Sequence, residues 1–148
     1  MRAFAAVARR DGAFADAFVT ARRGGDARLT VDRLPDGRVL RVAYLAGNRM
    51  DDDLRAVGAA LTTHCDRLWV SDPDPRGREE GATSALIAEG ARAAGLEAVS
   101  TTISEWDSFE ACFAEAQPGD LLTFQCEDHK GLIERIRQMQ ASLMEVTA

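Results

Sequence analysis

The chain is poor in the residue types on which most single-residue chemistry depends: three cysteines, two histidines, one tyrosine and one lysine, Lys130, in 148 residues. Cys65, Cys112 and Cys126 are odd in number and widely spaced, which excludes a disulfide framework or a zinc module and reads as reduced thiols serving as small core hydrophobes. With positive charge carried almost wholly by arginine and a net charge of −6, the surface lacks the basic excess needed to neutralise phosphates, so nucleic acid is not an expected partner. No apolar run approaches the roughly 18 residues that span a bilayer, and the first twenty residues mix Arg2, Arg9, Arg10, Asp11 and Asp16 among alanines; the expectation is a cytoplasmic protein with no membrane partner. Neither a Gly-x-Ser-x-Gly elbow nor a Gly-x-x-x-x-Gly-Lys-Ser/Thr phosphate loop occurs, so an esterase-like nucleophile and an ATP cradle are both missing.

What is present suits one globular domain: 46% hydrophobic and 28% charged residues, enough to bury a core at this length. Residues 2–22 carry Phe4, Val7, Phe14 and Phe18 among alanines, with Gly12 as a break, and are expected to be helical, covering a sheet edge or docking on a partner. A hairpin is expected across 28–38 around Pro35-Asp36-Gly37. Residues 1–38 are thus read as an N-terminal helix and hairpin packed on an α/β domain of residues 39–146.

From Val39 onward the hydrophobic pattern alternates regularly. Strands are expected at 39–45, 67–70, 97–101 and 120–125, and helices from Asp51 and over 80–94, 105–116 and 131–144. Ser104 with Asp107 reads as a helix start and Gly95 as a helix stop. Parallel strands need crossovers of this length, so the fold class is α/β: a Rossmann-like three-layer sandwich with a mostly parallel sheet, helices on both faces and an N-terminal helix and hairpin addition.

Ligands of such sheets bind beyond the carboxyl ends of the strands. Two loops there stand out. Gly47-Asn48-Arg49 leaves the first parallel strand toward a helix N-terminus that could receive an anion, or is simply a tight turn. The loop from Ser71 to Gly81 holds Asp72, Pro73, Asp74, Pro75, Arg76 and Arg78; its prolines could hold an arginine ready for bidentate recognition of a carboxylate, or its charges could neutralise one another in solvent. Glu79, Glu80, Glu127 and Asp128 read as solvated carboxylates.

The order Gly47-Asn48-Arg49, Asp66-Arg67-Leu68-Trp69-Val70, Asp72-Pro73-Asp74-Pro75-Arg76-Gly77-Arg78, Glu89-Gly90 and Pro118-Gly119-Asp120-Leu121-Leu122 resembles the C-terminal domain of the Mur ligase family, in pattern most that of cyanophycin synthetase, over roughly residues 39–136. The resemblance implies a domain that holds the incoming amino acid while an acyl phosphate formed elsewhere is attacked. Arg76 takes the position of the arginine that binds the substrate carboxylate, with Asn48, Arg49, Asp72, Asp74, Arg78 and His129 as further substrate-side candidates. No catalytic or metal-binding residue is assigned. ATP and Mg would come only through a partner, an ATP-binding ligase central domain or subunit. The sequence departs from the pattern where Asn48 replaces an aspartate, where an Asp-Tyr-Ala-His-Asn-Pro opening is absent, and where residues 125–130 lack Gly-Lys-Gly-His-Glu. The alternative reading is a non-catalytic binding or scaffolding module, homodimeric or docked on another protein, that keeps the fold alone.

Overall fold

A computed structural model describes residues 2–10, 13–14, 18–22, 37–117 and 120–147. In chain order the elements are β1 (Arg2–Arg10), β2 (Ala13–Phe14), β3 (Phe18–Arg22), β4 (Val39–Ala43), α1 (Asp51–Leu61), β5 (Arg67–Ser71), α2 (Ala82–Ala93), β6 (Val99–Thr102), α3 (Glu105–Glu115), β7 (Leu121–Cys126) and α4 (His129–Thr147). The expected strands and helices from Val39 onward are all present, with ends that move by a few residues. The hairpin expected before Gly37 lies outside the described residues.

The parallel strands run in the order β7-β4-β5-β6, and alternation of side chains sorts the core into two layers. Leu40, Val42, Trp69, Leu122 and Phe124 face Phe109 and Cys112 of α3 and Leu132 and Ile136 of α4. Ala43, Leu68, Val70 and Val99 face Leu54 of α1 and Ile87, Ala88 and Ala91 of α2. This is the expected α/β layering, and every strand that must be apolar on both faces has a helix layer on each.

The helical expectation for residues 2–22 is corrected. β1 lies antiparallel to β7, from Ala3 opposite Cys126 to Ala8 opposite Leu121, and β3 and β2 return along its other side. The segment covers a sheet edge as strands instead of as a helix. Its alanines favour helix locally, but its apolar residues fill both alternate sets of positions and so fix no period. The N–H and C=O groups along the free side of β7 require a partner, and ladder pairing overrides the local preference.

Two glycines set the closeness of α1 to α2. A Cβ on Gly58 would run into the Ile87 carbonyl, and one on Gly90 into the Arg55 carbonyl, so the two helices touch backbone to backbone. Glu89 joins the same contact by accepting from Arg55 Nε at 3.2 Å. The Glu89-Gly90 pair therefore belongs to helix packing. At the far end of α2 Gly95 takes φ +102°, and bonds from its own N–H to Arg92 O and from Leu96 N to Ala91 O close the helix as a Schellman motif.

Candidate functional site

The strand order decides where a ligand could sit. The chain steps from β4 to β5 to β6 in one direction, then crosses back to lay β7 on the opposite side of β4. The order reverses between β4 and β7, and the crevice beyond their carboxyl ends is the place where α/β sheets take ligands. It is bordered by the segment from Tyr44 to Met50, by the loop after β5, and by the turn that joins β7 to α4.

The first two of these segments are tied together. Gly47 N donates to Asp74 O at 3.0 Å, and a Cβ at Gly47 would meet the Pro75 carbonyl and, at 2.7 Å, Thr83 Oγ1. Arg78 fastens the same junction: Nε donates to Gly47 O at 2.8 Å, Nη2 to Arg49 O at 2.5 Å and Nη1 to Asp51 Oδ1 at 2.7 Å. Its planar fork is thus committed to the protein. The Gly47 amide, which a bound phosphate would need, is committed as well. Asn48, Arg49 and Met50 are exposed on the crevice rim.

Arg76 has a different situation. Its φ of +48° places a non-glycine residue in the left-handed region, where a side chain persists only if the surroundings impose it. Arg76 and Gly77, itself at φ +85°, are the two central residues of a tight turn that Arg78 N closes onto Pro75 O at 3.1 Å. The side chain is 55% exposed and donates from Nε to Asp74 Oδ2 at 2.7 Å. That bond, above all, holds the guanidinium more firmly protonated than usual, and the Glu127 carboxylate adds to the rise. Arg76 is thus influenced from its own loop, through Asp74, and from the turn after β7, through Glu127.

Asp72 lies beneath the loop, 1% exposed. Its Oδ2 accepts from Thr83 N at 3.2 Å, which satisfies one of the free amides at the start of α2. Its backbone N–H donates to Thr102 O and Ile103 O. The other carboxylate oxygen, Thr83 Oγ1 and Ser71 Oγ are buried with no hydrogen-bond partner among the described residues. The carboxyl end of β5 thus keeps polar capacity directly under the loop, the kind that buried waters usually take up.

On the β7 side, Asp128 opens α4 by accepting from Gly131 N at 3.0 Å, and His129, half-buried, is the first helical residue. Glu105, from the first turn of α3, reaches this turn: Oε1 accepts from Glu127 N at 2.7 Å and Oε2 from Asp128 N at 3.3 Å. Burial raises its pKa above the ordinary carboxylate range against the pull of those two amides, and the Glu127 and Asp128 carboxylates add to the rise.

The sequence candidates therefore separate. Asn48, Arg49, Asp74, Arg76, Arg78 and His129 are brought to one end of the sheet, while Asp72 is buried and Arg78 braces the loops. Asp66 and Asp120, which carry part of the family pattern, sit at the amino ends of the strands. Asp66 Oδ2 accepts from Val39 N at 2.7 Å. Asp120 accepts from Arg38 N, Nε and Nη2 and from Gln117 N. Pro118 and Gly119 lie outside the described residues. Tyr44 and Glu105 escaped the sequence reading. Tyr44 is the single tyrosine and follows a buried strand, which is a usable signal; Glu105 meets residues 22 and 23 positions away, which no local pattern encodes.

The thiols behave as core residues. Burial raises all three, Cys126 to about 12. Among the described residues no group of three or more histidine, cysteine, aspartate or glutamate side chains could hold a metal ion, and no helix is long and apolar enough to cross a membrane.

No family model matches the chain. Over 103 residues it is 33% identical to the UDP-N-acetylmuramyl-tripeptide synthetase of Roseiflexus sp. (strain RS-1), a match that covers 68% of this chain and 20% of that protein. The chain thus spans about a fifth of the length of the curated relative it matches. The likeness supports a ligase-family domain of the Mur type.

Proposed function

We propose that this Mur-ligase-like chain supplies the amino-acid-binding half of an ATP-dependent carboxylate-amine ligase, in the manner of a C-terminal domain, with Arg76 receiving the substrate carboxylate. The observation that carries the reading is Arg76 itself: a half-exposed guanidinium on a left-handed backbone at the switch-point crevice. Such strain collects at functional positions, and a guanidinium with one edge on Asp74 keeps another edge with the planar geometry that a carboxylate fits. Arg78 supports this by holding the loop to the start of α1. The Roseiflexus relative is by name a synthetase, and the order of motifs extends the likeness to the cyanophycin synthetase C-terminal domain.

In this reading the chain is not catalytic alone. ATP and Mg belong to a separate ATP-binding ligase domain or subunit, because the Gly47 turn offers no free amide cradle and the sequence contains no phosphate-loop lysine. Capture of the tagged chain with its native partners, followed by measurement of amino-acid-dependent ATP hydrolysis, tests the assignment. The expected result is co-purification of an ATP-binding ligase domain whose turnover needs this chain and is lost with Arg76→Ala. Turnover that is indifferent to this chain would refute it. The substitution of Asn48 for an acidic residue favours a second reading, a binding or scaffolding module without enzymatic partners, which self-association alone in the same capture would support.

A further inference from the structure

We propose that Glu105 is a positioning residue that fixes the turn between β7 and α4, and through it the wall of the crevice that faces Arg76. The proposal rests on the amino-acid-binding reading of that crevice. Glu105 does not cap its own helix, because Ser104 Oγ already accepts from Trp106 N at 3.1 Å. Instead both of its oxygens are given to another element, the amides of Glu127 and Asp128. Asp128 in turn accepts from Gly131 N and, through its carbonyl, from Leu132 N. The carboxylate of α3 thereby sets the first turn of α4.

The cost of this arrangement indicates that it is more than filler. Glu105 is 7% exposed, and besides burial the charged groups that raise it are the Glu127 and Asp128 carboxylates. A carboxylate that is buried beside two others is held there by the two amides. The turn is also tight against α3: a Cβ at Gly131 would come within 2.5 Å of Asp128 Oδ2 and 3.0 Å of Trp106 Cζ2. Glu105 therefore fixes the backbone from which the Glu127 carboxylate, one of the groups acting on Arg76, projects.

The test uses the full chain labelled for amide hydrogen exchange, with L-lysine and L-glutamate as binding probes. In Glu105→Gln an amide N–H₂ faces one of the two backbone donors, and in Glu105→Asp the reach is shortened by one carbon. Exchange at the Glu127 and Asp128 amides should accelerate in both variants by at least about tenfold, the scale of one lost charge-assisted bond. Probe binding to the wild type should weaken as the pH falls toward the ordinary carboxylate range, because Glu105 takes up its proton earlier than an ordinary carboxylate. That dependence should vanish in Glu105→Gln, which has no carboxyl to protonate. Unchanged exchange at both amides in folded Glu105→Gln would overturn the proposal. If neither probe binds the wild type, the amino-acid reading loses support, while the exchange rates still decide the role of Glu105.

Discussion

The guanidinium of Arg78 donates to the carbonyl of Gly47 across 31 positions of sequence, 2.8 Å away, and this bond makes the loops after β4 and β5 one structural unit. Arg76, two positions earlier, takes no part in that bond: it donates to Asp74 Oδ2 and its side chain stays 55% exposed. Two arginines of the same short motif thus have opposite duties.

Arg78→Ala removes three hydrogen bonds from a largely buried fork and should lower stability by about 1–3 kcal/mol, the range for truncating a charged hydrogen-bonding group. Arg76→Gly should leave stability equal or slightly higher, since glycine adopts φ +48° without cost. Thermal melts of the two variants side by side check this. Equal losses would mean that the division of labour is wrong.

Gly47→Ala should be among the most damaging single-methyl changes in the chain. The added carbon meets the Pro75 carbonyl and Thr83 Oγ1, and the Pro75 backbone adjoins Asp74, whose carbonyl holds the Gly47 amide. A loss of about 1–3 kcal/mol is expected from overpacking of this kind, read from urea unfolding. Gly58→Ala should act similarly by separating α1 from α2.

Asp120 gives a signed pH effect. Burial alone would raise its pKa, but the bond from Arg38 together with the Gln117 and Arg38 amides brings it below the ordinary aspartate value. A carboxyl that binds protons less readily when folded stabilises above its unfolded pKa and loses that contribution as the pH falls through the folded one. The stability advantage of wild type over Asp120→Asn should therefore hold at neutral pH and shrink below about pH 4, the ordinary aspartate range. Melts of both proteins from pH 7 to 3 would show a parallel, pH-independent offset if the account is mistaken.

Thiol reactivity tests the core. The thiolate is the reacting form, and burial holds all three cysteines above their ordinary pKa. A disulfide reagent at pH 8 should label none of them quickly in the folded chain and all three after denaturation, with Cys65, the least buried, first under native conditions. Prompt labelling of Cys126 would contradict its place under α3 and α4.

Periodicity, helix caps and apolar runs in the sequence determined the four parallel strands and four helices from Val39 onward, because those signals are local: Ser104 caps with its own hydroxyl, and Gly95 stops a helix by its own φ. The sequence also placed Arg76 and Arg78 in one candidate loop. Only tertiary structure decided that residues 2–10, 13–14 and 18–22 are strands, since the partner that selects strand over helix is the edge of β7, well over a hundred residues away. Only tertiary structure separated the two arginines, because each role depends on which loop lies opposite. The strand order, which puts β7 beside β4 and creates the crevice, is likewise absent from any local pattern. Glu105 is the clearest case: its sequence neighbours mark it as an ordinary helix-start glutamate, and its function follows from two amides that the fold brings to it.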